Sequence, residues 1–268
     1  MHPIEHLRYI ARATGADPGL LAREAADSLA EIARSQPAGL LPACRRLIDR
    51  HVAAGPLWWL SARMLRDADP VEAARRSAEE LEADPTSSVL VDFLADSATA
   101  VVVGWPDVAA EALRRRGDVE VLAVEWSGEA EQLARRLRGR GSSVSVVPES
   151  GAATAAAVAD VVLLEATAAA PAGILAAPGS LAAAAVAARS RVPVVAVTGV
   201  GRVLPGELWD ALVERLDASG VEPWERPVEV VPAELLSAVA GPGDVAAASE
   251  GLAAATCPAA PELFRPAG

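Results

Sequence analysis

The sequence predicts an α/β protein, with helices first and then a mainly parallel sheet covered on both faces. From Thr99 onward, short apolar runs alternate with helical patterns, which is the pattern of βαβ units. Before that point apolar residues recur at helical spacing. The apolar runs are continuous, as in strands buried on both faces. The pattern changes around Asp84-Pro85, and the expected division is a helical domain over 1–95 and a sheet domain over 96–268.

Asp17-Pro18 and Asp69-Pro70 read as helix starts, with Asp at the N-cap and Pro at the first helical position. Leu20, Leu21, Ala25, Leu29 and Ile32 share one face of the first helix. A second helix is expected over 37–53, with Leu40, Leu41, Cys44, Leu47 and Ile48 apolar. Gly55-Pro56 breaks it, and Leu57-Trp58-Trp59-Leu60 opens a short helix to Leu65. Residues 71–83 carry Glu72, Arg75, Arg76, Glu79 and Glu80, which suits an exposed connecting helix. A further helix is expected over 88–94.

Strands are expected at 99–103, 120–124, 143–147, 161–164 and 192–198. Helices are expected at 106–116, 128–138, 152–159, 181–189 and 207–216. Right-handed crossovers make these five strands one parallel, Rossmann-like sheet. Between the fourth strand and its helix lies a small-residue loop with Pro171, Gly173, Pro178 and Gly179. A short strand at 227–231 and a helix at 232–238 follow, and the Ala- and Pro-rich tail from Gly251 reads as loosely ordered.

Composition excludes several functions. The net charge of −12 argues against nucleic acid, which needs a basic face. Every basic side chain is Arg, so neither a lysine phosphate loop nor a Schiff-base lysine is available. The Arg and Ala bias points to a high-GC bacterial genome. Cys44 and Cys257 stand alone and read as buried small hydrophobes. His2, His6 and His51 lack metal-ligand clustering, so no metal and no cofactor is expected. No basic region followed by an apolar one opens the chain, and Glu165, Arg189 and Arg191 interrupt its Ala-rich stretch. A cytoplasmic protein without a membrane partner is expected. Gly199-Val200-Gly201 lacks the third glycine of a dinucleotide fingerprint.

Ligands of parallel sheets sit outside the carboxyl ends of the strands. A site is therefore expected at Glu165, Ala166, Thr167 and the Gly173 to Ser180 loop. Glu125 and Glu165 are the carboxylates at strand ends, and either becomes a candidate base if burial raises its pKa. Thr167 and Ser180 also suit plain N-caps. Trp58 and Trp59 suit interdomain packing rather than a stacking platform. Arg63 could reach a ligand from the helical domain, though a surface role is its default.

The ordered series of features resembles the initiation factor 2B alpha/beta/delta family, which includes methylthioribose-1-phosphate isomerase and ribose-1,5-bisphosphate isomerase. Gly55-Pro-Leu-Trp-Trp-Leu60 is similar to the family's Ala-Pro-Leu loop. Val124-Glu125 is similar to the strand end carrying its Glu-Ser-Arg-Pro. Asp160-Val-Val-Leu-Leu-Glu-Ala-Thr167 resembles its Ala-Asp-X-Val-X-Val-Gly-Ala-Asp motif. Ala172-Gly173 matches its Asn-Gly, and Pro178-Gly179-Ser180 its Lys-X-Gly-Thr. Val192-Pro-Val-Val-Ala-Val and Val230-Val-Pro-Ala-Glu-Leu-Leu236 correspond to its later strand and its Pro-X-Glu-Leu-Ile. The resemblance runs from about residue 20 to the C-terminal end.

It implies a helical domain joined to a Rossmann-like domain, and a homodimer formed through the latter, with the strand Val228 to Val231 as a candidate edge or interface. It implies a ligand site at Gly104, Glu125, Ser127, Glu165, Ala166, Thr167, Gly173, Gly179 and Ser180. The departures fall on the chemistry. The isomerases' acid Cys falls in Val103-Gly104-Trp105 and their Asp on Thr167. Their Arg falls on Ser127, and their Asn and Lys on Ala172 or Ala177 and Pro178. No catalytic residue is assigned. The expectation is a non-catalytic or diverged member that binds a small phosphorylated metabolite, such as a sugar phosphate or nucleotide, or a protein partner. The alternative is a sugar-phosphate aldose–ketose isomerase with Glu125 or Glu165 as base.

Overall fold

The structure, a computed structural model, describes residues 17–139 and 142–265. His2 and His6 lie outside them. Among the described residues five α-helices come first: α1 (Pro18–Ser35), α2 (Leu40–Arg50), α3 (Gly55–Arg66), α4 (Pro70–Glu82) and α5 (Thr86–Phe93). Both expected N-caps are present. Asp17 accepts from the Leu20 amide at 2.7 Å, and Asp69 from the Val71 and Glu72 amides at 3.0 and 3.1 Å. One side of α4 is buried through Ala73, Ala74 and Ser77, so it is not a merely exposed connector.

The second part runs β1 (Thr99–Val103), α6 (Asp107–Arg115), β2 (Glu120–Val124), α7 (Glu129–Arg138), β3 (Val144–Val147), α8 (Ala152–Val158) and β4 (Val161–Glu165). Then follow β5 (Ala168–Ala170), β6 (Gly173–Ala176), α9 (Ser180–Ser190), β7 (Val194–Val197), α10 (Gly206–Asp217) and β8 (Glu229–Pro232). The last elements are β9 (Ala238–Ala240), β10 (Val245–Ala247) and the short α11 (Ala248–Gly251). The main sheet has seven strands in the order β10-β9-β7-β4-β1-β2-β3. All its pairings are parallel except β10 on β9.

Alternate residues of each strand serve opposite faces. Ala100 and Val102 of β1 pack with α5, α6 and α7, while Val101 and Val103 pack with α8 and α9. Both faces are covered, which explains the uninterrupted Val and Leu runs.

Four expectations need correcting. The small-residue segment after β4 is no loop. It forms β5 and β6, which join β8 in an antiparallel three-stranded sheet. Gly173 makes that possible, since a Cβ there would stand 2.3 Å from the Val231 carbonyl oxygen. Residues 232–238 are not a helix: a 3-10 turn (Ala233–Leu235) leads into β9. The sheet therefore gains two strands beyond the five expected. The tail is packed, with Leu252, Cys257, Ala260 and Leu263 buried.

The small sheet sits between two cores. Its Ala168, Ala170 and Leu175 face α1 to α4 and α10, and its Ala169, Ile174 and Val231 face α9. Apolar packing thus crosses residue 95. Trp58 and Trp59 are wholly buried, and Trp59 Nε1 donates to Thr256 Oγ1 at 2.9 Å.

Gly201, at φ +75°, lets the turn after β7 lie on the Trp59 ring, which a Cβ would meet at 2.9 Å. Gly201→Ala is expected to cost more than the ~1–2 kcal/mol of the left-handed conformation alone. Gly117→Ala, where a Cβ meets nothing within 4 Å, is expected to stay within about 0.5 kcal/mol of the parent. Urea unfolding of the two variants checks the contrast.

Candidate functional site

The chain builds outward from β1 to β2 and β3, then returns to place β4 on the other side of β1. The strand order reverses there, which opens a crevice at the carboxyl ends of β1 and β4. Glu165 ends β4 and Gly104 follows β1.

Glu165 spans this crevice. Its Oε2 accepts from the Val108 and Ala109 amides at the start of α6, at 2.9 and 3.0 Å. Its Oε1 accepts from Arg202 Nη1 at 2.9 Å. Arg202 is 3% exposed and also donates to the Ala166 carbonyl at 2.7 Å and to Asp17 Oδ1 at 3.1 Å. Asp84, between α4 and α5, accepts from the Val200 amide at 2.9 Å. The turn 199–202 thus ties β4, the cap of α1 and the α4–α5 link together. Gly201 packs on Trp59, and a Cβ on Gly199 would strike the Asp84 carboxylate at 2.5 Å, so both glycines serve this packing rather than a nucleotide.

Two cavities adjoin this junction. One of about 200 Å³ is lined by Arg23, Glu82 and Arg202 together with Asp17 and Asp84. The other, about 210 Å³, is lined by Ser87, Asp107 and Glu111 together with Asp17 and Asp84. Carboxylates outnumber guanidiniums in both.

Burial pushes the Glu165 carboxyl up from the ordinary Glu range, against the opposing pull of Arg202 and the α6 amides. Burial would lower Arg202, but the Glu165 and Asp17 carboxylates more than offset it and its pKa is raised. Burial also raises Asp107, which accepts from Trp105 Nε1 at 2.7 Å, and Glu129, which holds the Trp105 amide. A carboxyl raised by folding gives stability that is full below its unfolded pKa and is lost as pH rises through the folded value. Glu72, Glu111 and Asp118 are shifted down by Arg partners and act at lower pH, with the opposite sign. The melting temperature is therefore expected to fall as the pH rises above the unfolded Asp and Glu range. Asp107→Asn combined with Glu129→Gln is expected to flatten that slope in a pH-resolved melting series.

Gly104, Gly179 and Ser180 lie at the same sheet edge. A Cβ on Gly104 would stand 3.0 Å from Glu129 Oε2 and 3.3 Å from the Ala177 Cβ, while one on Gly179 would approach Val103. Ser180 is buried at the first turn of α9. Ala166 is buried, with its carbonyl on Arg202. Ser127 is exposed, at φ 54°. Thr167 is spent structurally: its carbonyl accepts the Gly55 amide and its hydroxyl reaches the Leu175 carbonyl at 3.4 Å. Gly173 lies inside β6. Glu125 accepts from the Gly128 amide at the start of α7. Glu125 and Glu165 share neither a hydrogen-bond partner nor either cavity.

A third helix start is filled in the same way, because Glu229 of β8 accepts from the Leu181 amide of α9 at 2.7 Å. Three helix N-termini that would suit an anion thus each hold one of the chain's own carboxylates. Arg202, Asp17, Asp84, Asp107 and Glu129 were not read as site residues from the sequence. The only signal was the Gly199-Val-Gly-Arg202 turn.

Arg63 is paired with Glu80 at 2.7 and 2.8 Å and lies over the Trp59 ring, so it does not face either cavity. Among the described residues no group of three His, Cys, Asp or Glu is placed to hold a metal. Burial pushes the thiols of Cys44 and Cys257 up to about 12, which removes them as nucleophiles.

The fold is that of the initiation factor 2B alpha/beta/delta-like proteins. The chain superposes on the Pyrococcus horikoshii translation initiation factor eIF-2B with a TM-score of 0.73 at 15% identity, covering 91% of this chain and 96% of that one. It superposes on a chain of the tetrameric eIF2B-beta2-delta2 complex from Chaetomium thermophilum with a TM-score of 0.74 at 14% identity, covering 93% and 92%. The delta subunit of eIF-2B from A. fulgidus gives 0.58 at 16% identity, covering 98% and 91%. The sequence matches no protein-family model. A comparison with curated proteins finds no match either. Among the described residues no helix is long and apolar enough to cross a membrane.

Proposed function

We propose that this chain is a non-catalytic protein of the initiation factor 2B fold that works in the cytoplasm by assembling with a protein partner, in the first place a second copy of itself. One observation carries this reading: Glu125, Glu165 and Glu229 occupy the three helix starts where a sugar phosphate would need free amides. Both Glu165 oxygens are engaged, with two amides on Oε2 and the Arg202 guanidinium on Oε1, which ties the carboxylate into the junction rather than leaving it as a free base. An acidic crevice repels the anion that an isomerase of this kind must hold. The edge strand β8 supports assembly, because it closes the small sheet and carries the exposed Val230. The neighbour from Chaetomium thermophilum is a tetrameric complex.

Light scattering on the eluting protein tests the reading. A dimer in the micromolar range that Val230→Asp converts to monomer is expected. A monomer at every concentration overturns the self-assembly. A thermal-shift series with ribose 5-phosphate and inorganic phosphate tests the competing metabolite reading. Saturation at about 100 times Kd adds about 2.7 kcal/mol, several degrees for this length. Such a shift, together with turnover lost in Glu165→Gln or Glu125→Gln, would establish the isomerase instead.

A further inference from the structure

A separate cleft of about 370 Å³ opens where β7 and β9, parallel neighbours, both end. That size falls within the ~300–1,000 Å³ of small-molecule sites. Thr198, Val203, Val239, Pro242, Asp244 and Glu250 line it. Two glycines shape it. A Cβ on Gly241 would rest in ordinary contact with the Thr198 hydroxyl at 3.6 Å, whereas one on Gly251 would strike Val239 at 2.5 Å.

The polar side chains in this cleft leave only acceptors free. Thr198 is 1% exposed. Its hydroxyl donates to the Ala240 carbonyl at a long 3.4 Å, and its lone pairs receive no hydrogen bond among the described residues. The Asp244 and Glu250 carboxylates have neither an ion pair nor a side-chain hydrogen bond among those residues. No Arg lines the cleft, although the chain carries 24 basic residues. An acceptor-only set with one apolar wall selects a donor-only head on an apolar body.

We propose that this cleft binds a primary organic ammonium with a short alkyl body. The –NH3+ group donates to Thr198 Oγ1 and to the Asp244 and Glu250 carboxylates. The alkyl chain lies along Val203, Val239 and Pro242. The site is distinct from the β1–β4 crevice, and it stands or falls independently of the assembly proposed above.

Calorimetric titration of the full chain with n-butylammonium chloride tests it, with n-butanol and sodium butyrate as controls at equal ionic strength. Saturable binding of the ammonium is expected, with neither control competing. Asp244→Asn with Glu250→Gln is expected to weaken binding by at least about tenfold, the loss of one modest charge contact. Both positions are exposed, so the variant keeps the fold. Thr198→Val, with its melt checked first, reports the hydroxyl. The proposal is overturned by absent ammonium binding, by equal binding of butanol, or by an affinity that the double variant leaves unchanged.

Discussion

Arg202→Leu is expected to lower the stability of the fold by about 3–5 kcal/mol, the cost of leaving one member of a buried ion pair alone. For a chain of this length that is a fall of roughly 10 °C or more in melting temperature. The stranded charge is Glu165, whose side chain is 10% exposed. Arg202 also holds the Ala166 carbonyl and the Asp17 carboxylate, so three acceptors lose a donor at once. Adding Glu165→Gln removes the uncompensated charge and leaves a carbonyl for the α6 amides. The double variant is therefore expected to recover part of the loss. A single-variant cost below about 1 kcal/mol, as for an exposed pair, would show that water reaches the junction.

Removing residues 252–268 is expected to abolish cooperative melting. Burying a Leu side chain contributes about 1.5–3 kcal/mol, and Leu252 and Leu263 are both wholly buried. Arg45 grips the segment through the Glu262 and Arg265 carbonyls at 2.5 and 2.6 Å, and Trp59 loses its Thr256 partner. Against a total of about 5–15 kcal/mol, the sum is decisive. A sharp unfolding transition retained near the parent temperature would place the tail outside the core.

The helices and the first strands were legible because apolar spacing and Asp-Pro starts are local features. The elements β1 and β2 fall on the expected residues, and β4 within one. What escaped is built from alanine. Ala168, Ala169 and Ala170 form a buried strand with no polar partner in alternation, and alanine has a low strand preference. The tail was hidden because Pro258 and Pro261 break any helical pattern, although Cys257, Ala260 and Leu263 recur every three residues. At the candidate site, Glu165 was legible as a strand-end carboxylate. Its partner was not, because Arg202 lies 37 residues away and reaches it only through the β7 turn. Nothing in the spacing of Asp17 or Asp84 points to that turn.

The bonds around this turn join residues 116 and 185 positions apart. Closing loops that long costs entropy before any contact repays it, and local structure forms first. The junction is thus expected to be absent from the rate-limiting step of folding. Substitutions at Arg202 or Asp17 should raise the unfolding arm of a chevron at unchanged slope while the refolding arm stays near that of the parent. One guanidinium then governs how long the folded chain lasts, and hardly at all how fast it forms.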